Sequence, residues 1–413
     1  MINFTVDGDD EIENLLSLYK ARGISLELNR MQAALKNLGN PYNEIPAIQV
    51  IGTNGKGSIV SFLESCLKEA RIKIGCSTSP HLVSWRERIR INGQEISSQD
   101  FLKILTKFQA IAKSYRLTPF ELIILSAFDY FYSNQVELMV LEVGLGGKLD
   151  ATTAHPFRPL IAIGGIGLDH CEYLGNTLTA ITKEKAAVIS YGSTVISSPQ
   201  EPEVKRVIEK VVSKNNARII WVEPLSKDWE LGIAGEIQRT NAAVAKGILE
   251  ALPSFGWEVN QTTIRRGLSL AKWPGRLQKA SWGNMPLILD GAHNEHAANQ
   301  LAKERLLWPS ESNGIFWIFG IQAHKDGPEI IRKLLKVNDL GWVVPVPNTK
   351  SWSKSNLCKT YPEMSNQLNE ANSVAKVLEK ISSGEMCKDK KTIVITGSLL
   401  LIGNLLRKDL LLF

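Results

Sequence analysis

The chain has 413 residues, 44% hydrophobic and 22% charged, an ordinary globular composition whose length suggests two or three domains rather than one core. Its net charge of +6 suits an enzyme handling anionic substrates, but Lys and Arg are spread along the chain. No long basic run argues for nucleic acid. Five cysteines (Cys66, Cys76, Cys171, Cys358 and Cys387) form no C-x-x-C pair, which argues against a disulfide framework or zinc knuckle and for a reducing compartment. The acidic start, residues 1–10, does not read as a signal peptide. The apolar tail around Leu399–Leu406 falls far short of the roughly 20 residues that span a bilayer. A cytoplasmic protein without membrane contact is the expectation.

In chain order, Glu11–Leu38 is helical by pattern and interrupted near Gly23. Ala47–Ile51 reads as a buried strand, followed by one apolar helix face through Ile59, Phe62, Leu63, Cys66, Leu67 and Ala70. Strands are predicted at Ile72–Cys76, Leu138–Val143, Leu160–Ile163, Thr194–Ser197 and Arg218–Val222, with helical patterns at Phe120–Ser133, Leu178–Ile189 and Glu203–Lys214 between several of them. Such alternation implies a mostly parallel sheet with helices on both faces. A helical pattern stops at Lys272-Trp-Pro-Gly-Arg276, and a linker is placed at about 272–275. Alternation then restarts: Leu287–Asp290, a helix from about Asn294, Ile315–Phe319, a helix from about Pro328, Trp342–Val346, a helix near Ser373–Ile381, and Thr392–Thr396. Lys350–Gln367, rich in Ser, Asn and Lys, reads as a surface loop. The expected architecture is α/β: a P-loop-containing, mostly parallel sheet domain over 1–272 with an N-terminal helical segment, then a smaller Rossmann-like α/β domain over 276–413.

Between the first strand and its helix lie Gly52, Thr53, Asn54, Gly55, Lys56, Gly57 and Ser58. Glycines let backbone N–H groups crowd around phosphate oxygens, and the helix N-terminus favours negative charge. Lys56 can reach the β- and γ-phosphates, and Ser58 or Thr53 can offer a hydroxyl to Mg²⁺. The loop is shorter than G-x-x-x-x-G-K-[ST], with a glycine between Lys and Ser, and a tight strand–helix turn with a solvated lysine is the bland alternative. It indicates nucleotide phosphates without indicating a reaction.

Further blocks are Thr78-Ser-Pro-His-Leu82 with Glu87-Arg-Ile-Arg-Ile-Asn-Gly93, Thr118-Pro-Phe-Glu121, Leu141-Glu-Val-Gly-Leu-Gly-Gly147 with Leu149-Asp-Ala-Thr152, Gly167-Leu-Asp-His170 with Leu174-Gly-Asn-Thr177, Glu184-Lys-Ala186, Pro274-Gly-Arg276, Leu289-Asp-Gly-Ala-His-Asn294 and Thr396-Gly-Ser-Leu399. With the loop, and in this order, they resemble the folylpolyglutamate synthase and dihydrofolate synthase family of the Mur ligase superfamily over nearly the whole chain. The resemblance implies an ATP-dependent ligase that joins L-glutamate to dihydropteroate, to (tetrahydro)folate or to both through an acyl phosphate, with bifunctionality the lead. It implies small-molecule partners (ATP, L-glutamate, dihydropteroate or folate) and two Mg²⁺ ions; a monomer is the separate expectation.

The resemblance also implies roles. Glu142, at the C-terminal end of its strand, and Ser79 match ligands of the first Mg²⁺; alone, they read as a solvated carboxylate and a turn residue. Ser58 joins them through its hydroxyl. His170, at the end of the strand beginning near Leu160, matches the second metal's histidine, where a lone His is more often a satisfied polar residue. Lys185 matches a lysine carbamylated by CO₂ into a Mg²⁺ ligand, which requires a neutral amine and hence burial; blandly it is an exposed helix lysine. Lys56, His170 and Lys185 are the candidate catalytic residues. Gln238 and Asn241 fall on a helix near the adenine side, Arg276 and Asp290 reach the nucleotide across a cleft, and His293 borders it. A linker arginine and an Asp helix cap are their bland readings.

Departures from the family pattern are Lys148 for Arg, Thr153 for Asn, Gly164-Gly165 for Thr-Ser, Ala187 for Gly and His324 for Asp. Two alternatives stand beside the lead. A Mur-type ligase for another carboxylate predicts an extra domain before the loop, where 51 residues precede Gly52. A nucleotide-binding regulatory protein would have lost ligation, against which the retention of Lys56, Glu142, His170 and Lys185 speaks.

Overall fold

A computed structural model describes residues 8–19, 22–23, 26–308, 313–383 and 392–412; Cys387 and most of the acidic start lie outside them. One compact unit holds the residues up to Gly232 together with Ile237–Trp273, the other Ile233–Glu236 with the residues from Pro274 onward.

Among its described residues the first unit carries eight strands: β1 (Ala47–Ile51), β2 (Ile74–Ser77), β3 (Ile89–Ile91), β4 (Gln94–Glu95), β5 (Leu138–Glu142), β6 (Leu160–Ile163), β7 (Thr194–Ser197) and β8 (Arg218–Trp221). Their order in the sheet is β4-β3-β2-β5-β1-β6-β7-β8. β2, β5, β1, β6, β7 and β8 run parallel, while β3 and β4 add an antiparallel edge. β1, β5 and β6 are buried at every position, as strands covered on both faces must be. β1 lies between β5 and β6, so the segments after β5, β1 and β6 emerge side by side at one sheet edge. In open parallel sheets that C-terminal edge receives ligands.

The second unit carries β9 (Gln278–Trp282), β10 (Met285–Leu289), β11 (Ile315–Phe319), β12 (Leu340–Val343), β13 (Leu368–Glu370) and β14 (Thr392–Thr396), ordered β13-β12-β11-β14-β10-β9 with only the β9–β10 pair antiparallel among the described residues. A polar hub sits in its core. Asp339, fully buried, accepts from both terminal nitrogens of buried Arg305, from the backbone N–H groups of Ile315 and Lys336, and from Trp317 Nε1. Removing one partner of a buried ion pair strands the other charge. Asp339→Ala is therefore expected to destabilise this unit by about 3–5 kcal/mol, read as a lower denaturation midpoint; an unchanged midpoint would show that Arg305 needs no carboxylate.

Several expectations need correction. Lys350–Gln367 is not a loop: a helix spans Lys354–Thr360 and a 3-10 turn Pro362–Asn366, with Ser353 capping the helix by accepting from Asn356 N–H and Leu357 buried in the core. The N-terminal pattern, in keeping with the interruption expected near Gly23, forms separate helices, Asp9–Ser17 and Asn29–Asn37. Strand expectations at Ile72 and through Val346 shift to Ile74–Ser77 and Leu340–Val343.

Candidate active site

The phosphate loop leaves β1 and enters the helix Lys56–Glu69, whose first residue is Lys56. Gly55 takes a left-handed φ of 88°, which favours glycine, and a Cβ there would lie 2.4 Å from Asn241 Oδ1. The rear of the loop is fastened to the segment after β6. Thr53 and Asn54 N–H donate to Gly165 O at 2.8 and 3.1 Å, and the Thr53 hydroxyl donates to Gly167 O while accepting from Gly167 N–H. Thr53 is thus committed to scaffolding. Ser58, by contrast, is buried with no hydrogen-bond partner for its hydroxyl, and it is the hydroxyl that suits a hard cation.

Lys56 Nζ donates to Gly52 O at 3.0 Å and Thr53 O at 3.2 Å. Lys185, on the helix Leu178–Ala186, donates to the same Gly52 carbonyl at 3.1 Å. Two lysines therefore converge on one oxygen. Lys185 is only 5% exposed, which rules out the reading as a solvated surface lysine. Burial, with the charge of Lys56 second, lowers its pKa to about 7, against the opposing pull of Asp169, Asp150 and Glu184. His170 lies not at the strand end but in the loop after β6, which ends at Ile163; it takes a left-handed φ of 52° as the cap of the short helix Cys171–Leu174. Asp169 joins the two residues: its charge acts on Lys185, its Oδ1 accepts from His170 N–H, and its Oδ2 lies 3.9 Å from His170 Nε2.

Glu142 closes β5 and is 4% exposed, so it is no solvated strand-end carboxylate. Its Oε2 accepts from Ser79 N–H at 3.0 Å, bringing those residues together. The glycine turn after Glu142 is shaped by buried Asp150, which accepts from the N–H groups of Gly144, Leu145 and Thr152. Ser58, Ser79 and Glu142 offer hydroxyl and carboxylate oxygens, the hard donors that fit Mg²⁺. Among the described residues no cluster of three or more His, Cys, Asp and Glu side chains is assembled. The orphaned Ser58 hydroxyl is the feature that a cation would satisfy.

Asn241 and Gln238, buried on the helix Glu236–Ala251, hydrogen-bond to each other at 2.9 Å. In the second unit, half-buried Asp290 follows β10 and accepts from Leu277 and Ala292 N–H, with the charge of Arg276 acting on it. His293 Nδ1 is 2.7 Å from Gly291 O, and Asn294 caps the helix Glu295–Arg305, which starts where the pattern placed it. Sequence reasoning gave no role to Asp169, Asp150 or Arg88, although each lies inside a quoted block. Arg88 Nε donates to His81 Nδ1 at 2.9 Å over the Trp85 ring.

A glycine-and-lysine loop opening a helix on a central strand of a parallel sheet is how α/β proteins hold a nucleotide's phosphates, and the architecture is that of a nucleotide-binding α/β protein. A family model described as dihydrofolate synthetase, C-terminal domain, matches residues 275–408. The dihydrofolate synthetase of Saccharomyces cerevisiae is 32% identical, the match covering 93% of this chain and 98% of that one. The chain belongs to the dihydrofolate synthase/folylpolyglutamate synthase family of ATP-dependent ligases. Solved structures agree: Escherichia coli FolC in complex with DHPP and ADP is 28% identical with a TM-score of 0.83, covering 96% of this chain and 97% of that one. The bifunctional folylpolyglutamate synthase/dihydrofolate synthase of Yersinia pestis complexed with AMPPNP and Mn ion is 26% identical with a TM-score of 0.83, covering 97% of each. No helix among the described residues is long and apolar enough to cross a membrane.

Proposed function

We propose that this chain joins the amine of L-glutamate to the carboxylate of dihydropteroate and of folates. The γ-phosphoryl of ATP passes to a carboxylate oxygen, ADP departs, and the glutamate amine then attacks the acyl phosphate, loses a proton and releases phosphate. The likeness over nearly the whole chain to a dihydrofolate synthetase, joined to the structural likeness to a bifunctional enzyme, carries this reading.

In this reading Lys56 draws the β- and γ-phosphates toward the helix N-terminus, and Asn241 borders the nucleotide. Arg276, Asp290 and His293 take the nucleotide-contact roles within the second unit. Ser58, Ser79 and Glu142 would hold one Mg²⁺, and His170 with carbamylated Lys185 a second. Bound Mg²⁺ would neutralise charge on the transferring phosphoryl group. Cys66, Cys76 and Cys358 are free thiols among the described residues, which supports the reducing cytoplasm as the compartment. The assembly is a monomer in this proposal.

The test is ADP release by purified protein with dihydropteroate and tetrahydrofolate side by side. Release should depend on glutamate with both acceptors. Turnover with one acceptor alone would remove bifunctionality, and turnover with neither would overturn the reading. Glu142→Ala should lower release by about 10²-fold and raise the Mg²⁺ concentration needed for half-maximal rate. An unchanged Mg²⁺ profile would remove Glu142 from the metal.

A further inference from the structure

Trp273, the last residue of the first unit, is seated on the phosphate loop's own helix. A Cβ built on Gly57 would lie 2.7 Å from both Cζ2 and Nε1 of its indole, so the ring edge rests directly on the backbone of the first helical turn. Above the ring, 5.3 Å from its centroid, stands the guanidinium of Arg90. That guanidinium is held by Glu64, two turns further along the same helix, at 2.7 Å, and by the Thr78 hydroxyl and Glu87 carbonyl. The indole therefore has its edge on the loop's helix and its face under a buried cation anchored to that helix. The backbone beside it is fastened too: Ser61 Oγ donates to Lys272 O at 2.9 Å, and Ser65 Oγ to Gly267 O at 2.7 Å.

We propose that Trp273 is a positioning residue for nucleotide binding, its indole fixing the first turn of the helix Lys56–Glu69 so that Lys56 and Ser58 face the phosphates. The inference rests on the nucleotide reading of the loop given above. An indole edge against a glycine is a contact without slack, because no side chain can intervene and the ring cannot compress. A shift of the first turn must displace the ring, whose face is held by the Arg90 guanidinium. Trp273 acts through Gly57 and touches no reacting atom.

The experiment measures KM for ATP, KM for glutamate and kcat in wild type, Trp273→Ala, Trp273→Phe, Gly57→Ala and the Gly57→Ala/Trp273→Ala double variant, with ADP titrated against intrinsic fluorescence. Trp273→Ala should raise KM for ATP about tenfold, the loss of roughly one clamped cation–aromatic contact, and leave KM for glutamate within about twofold. Trp273→Phe should recover most of the ATP affinity and lose the ADP-induced fluorescence change. Gly57→Ala should impair ATP binding because its methyl strikes the ring, and removing the ring in the double variant should relieve that defect. Wild-type KM for ATP in Trp273→Ala, or single effects that simply multiply in the double variant, would overturn the proposal. If Trp273→Ala does not fold, the same cycle is run with Trp273→Leu and read in the same way. Wild type that binds no ADP would overturn the nucleotide reading itself, which separates that failure from this one.

Discussion

Lys56→Ala is expected to lower ADP release by about 10³-fold while leaving the melting temperature unchanged. The argument is electrostatic. The carboxylate substrate is a poor electrophile and the γ-phosphoryl is an anion, so transfer requires positive charge concentrated where the two meet. Lys56 is placed at the first turn of a helix, where its charge adds to the positive end of the helix dipole. Its hydrogen bonds to Gly52 and Thr53 carbonyls are local to the loop, so the fold does not rest on them. A second reading accompanies the first. The Lys56 charge helps to depress the pKa of Lys185, and its loss should shift any pH profile governed by Lys185 in the alkaline direction. A variant with wild-type turnover at saturating ATP would remove Lys56 from the chemistry.

Lys185→Ala is expected to cost about 10²–10³-fold in turnover and to be partly restored by added formate or acetate. Carbamate formation consumes a neutral amine, and burial lowers the Lys185 pKa to about 7, so at neutral pH a substantial fraction is unprotonated. At fixed CO₂, activity should rise with pH through about 7. The linkage to stability has a definite sign. Between the folded pKa near 7 and the unfolded value of about 10.4, the unfolded chain holds a proton that the folded chain lacks. Folding stability contributed by this site therefore rises with pH across that window, by up to about 1.4 kcal/mol per pH unit, and is least below pH 7. Lys185→Ala should flatten that slope. A slope retained in the variant, or an absence of rescue by any small carboxylate, would sink the carbamate.

The central strands were legible because burial on both faces leaves an uninterrupted apolar run. Leu160–Ile163, Thr194–Ser197, Ile315–Phe319 and Thr392–Thr396 have the same limits in the sequence pattern and in the fold. The β3–β4 edge was not legible, since β3 carries buried Arg90, whose carboxylate partner Glu64 comes from a distant helix. Pattern alone cannot tell a buried cation from a solvated one. The Lys354–Thr360 helix escaped for a related reason: with Leu357 its one fully buried position, it lacks an apolar stripe. In the site, Glu142 and the loop could be placed because strand ends follow from strands. The link from Lys185 through Asp169 to His170, and the seat of Trp273 on Gly57, depend on which segments meet across the sheet. Spacing in one dimension carries no such information.

The clasp between the phosphate loop and the segment after β6 has a mechanical consequence. Four hydrogen bonds, from Thr53 and Asn54 N–H to Gly165 O, from the Thr53 hydroxyl to Gly167 O and from Gly167 N–H back to that hydroxyl, tie the loop to the stretch that continues to Asp169 and His170. Thermal breathing of the sheet edge then displaces both segments together, and the spacing between the phosphate seat and His170 is largely insensitive to it. Positional error is shared instead of accumulated. Loosening either segment elsewhere would leave that spacing nearly intact, whereas unfastening Thr53 would let two halves of one site drift independently.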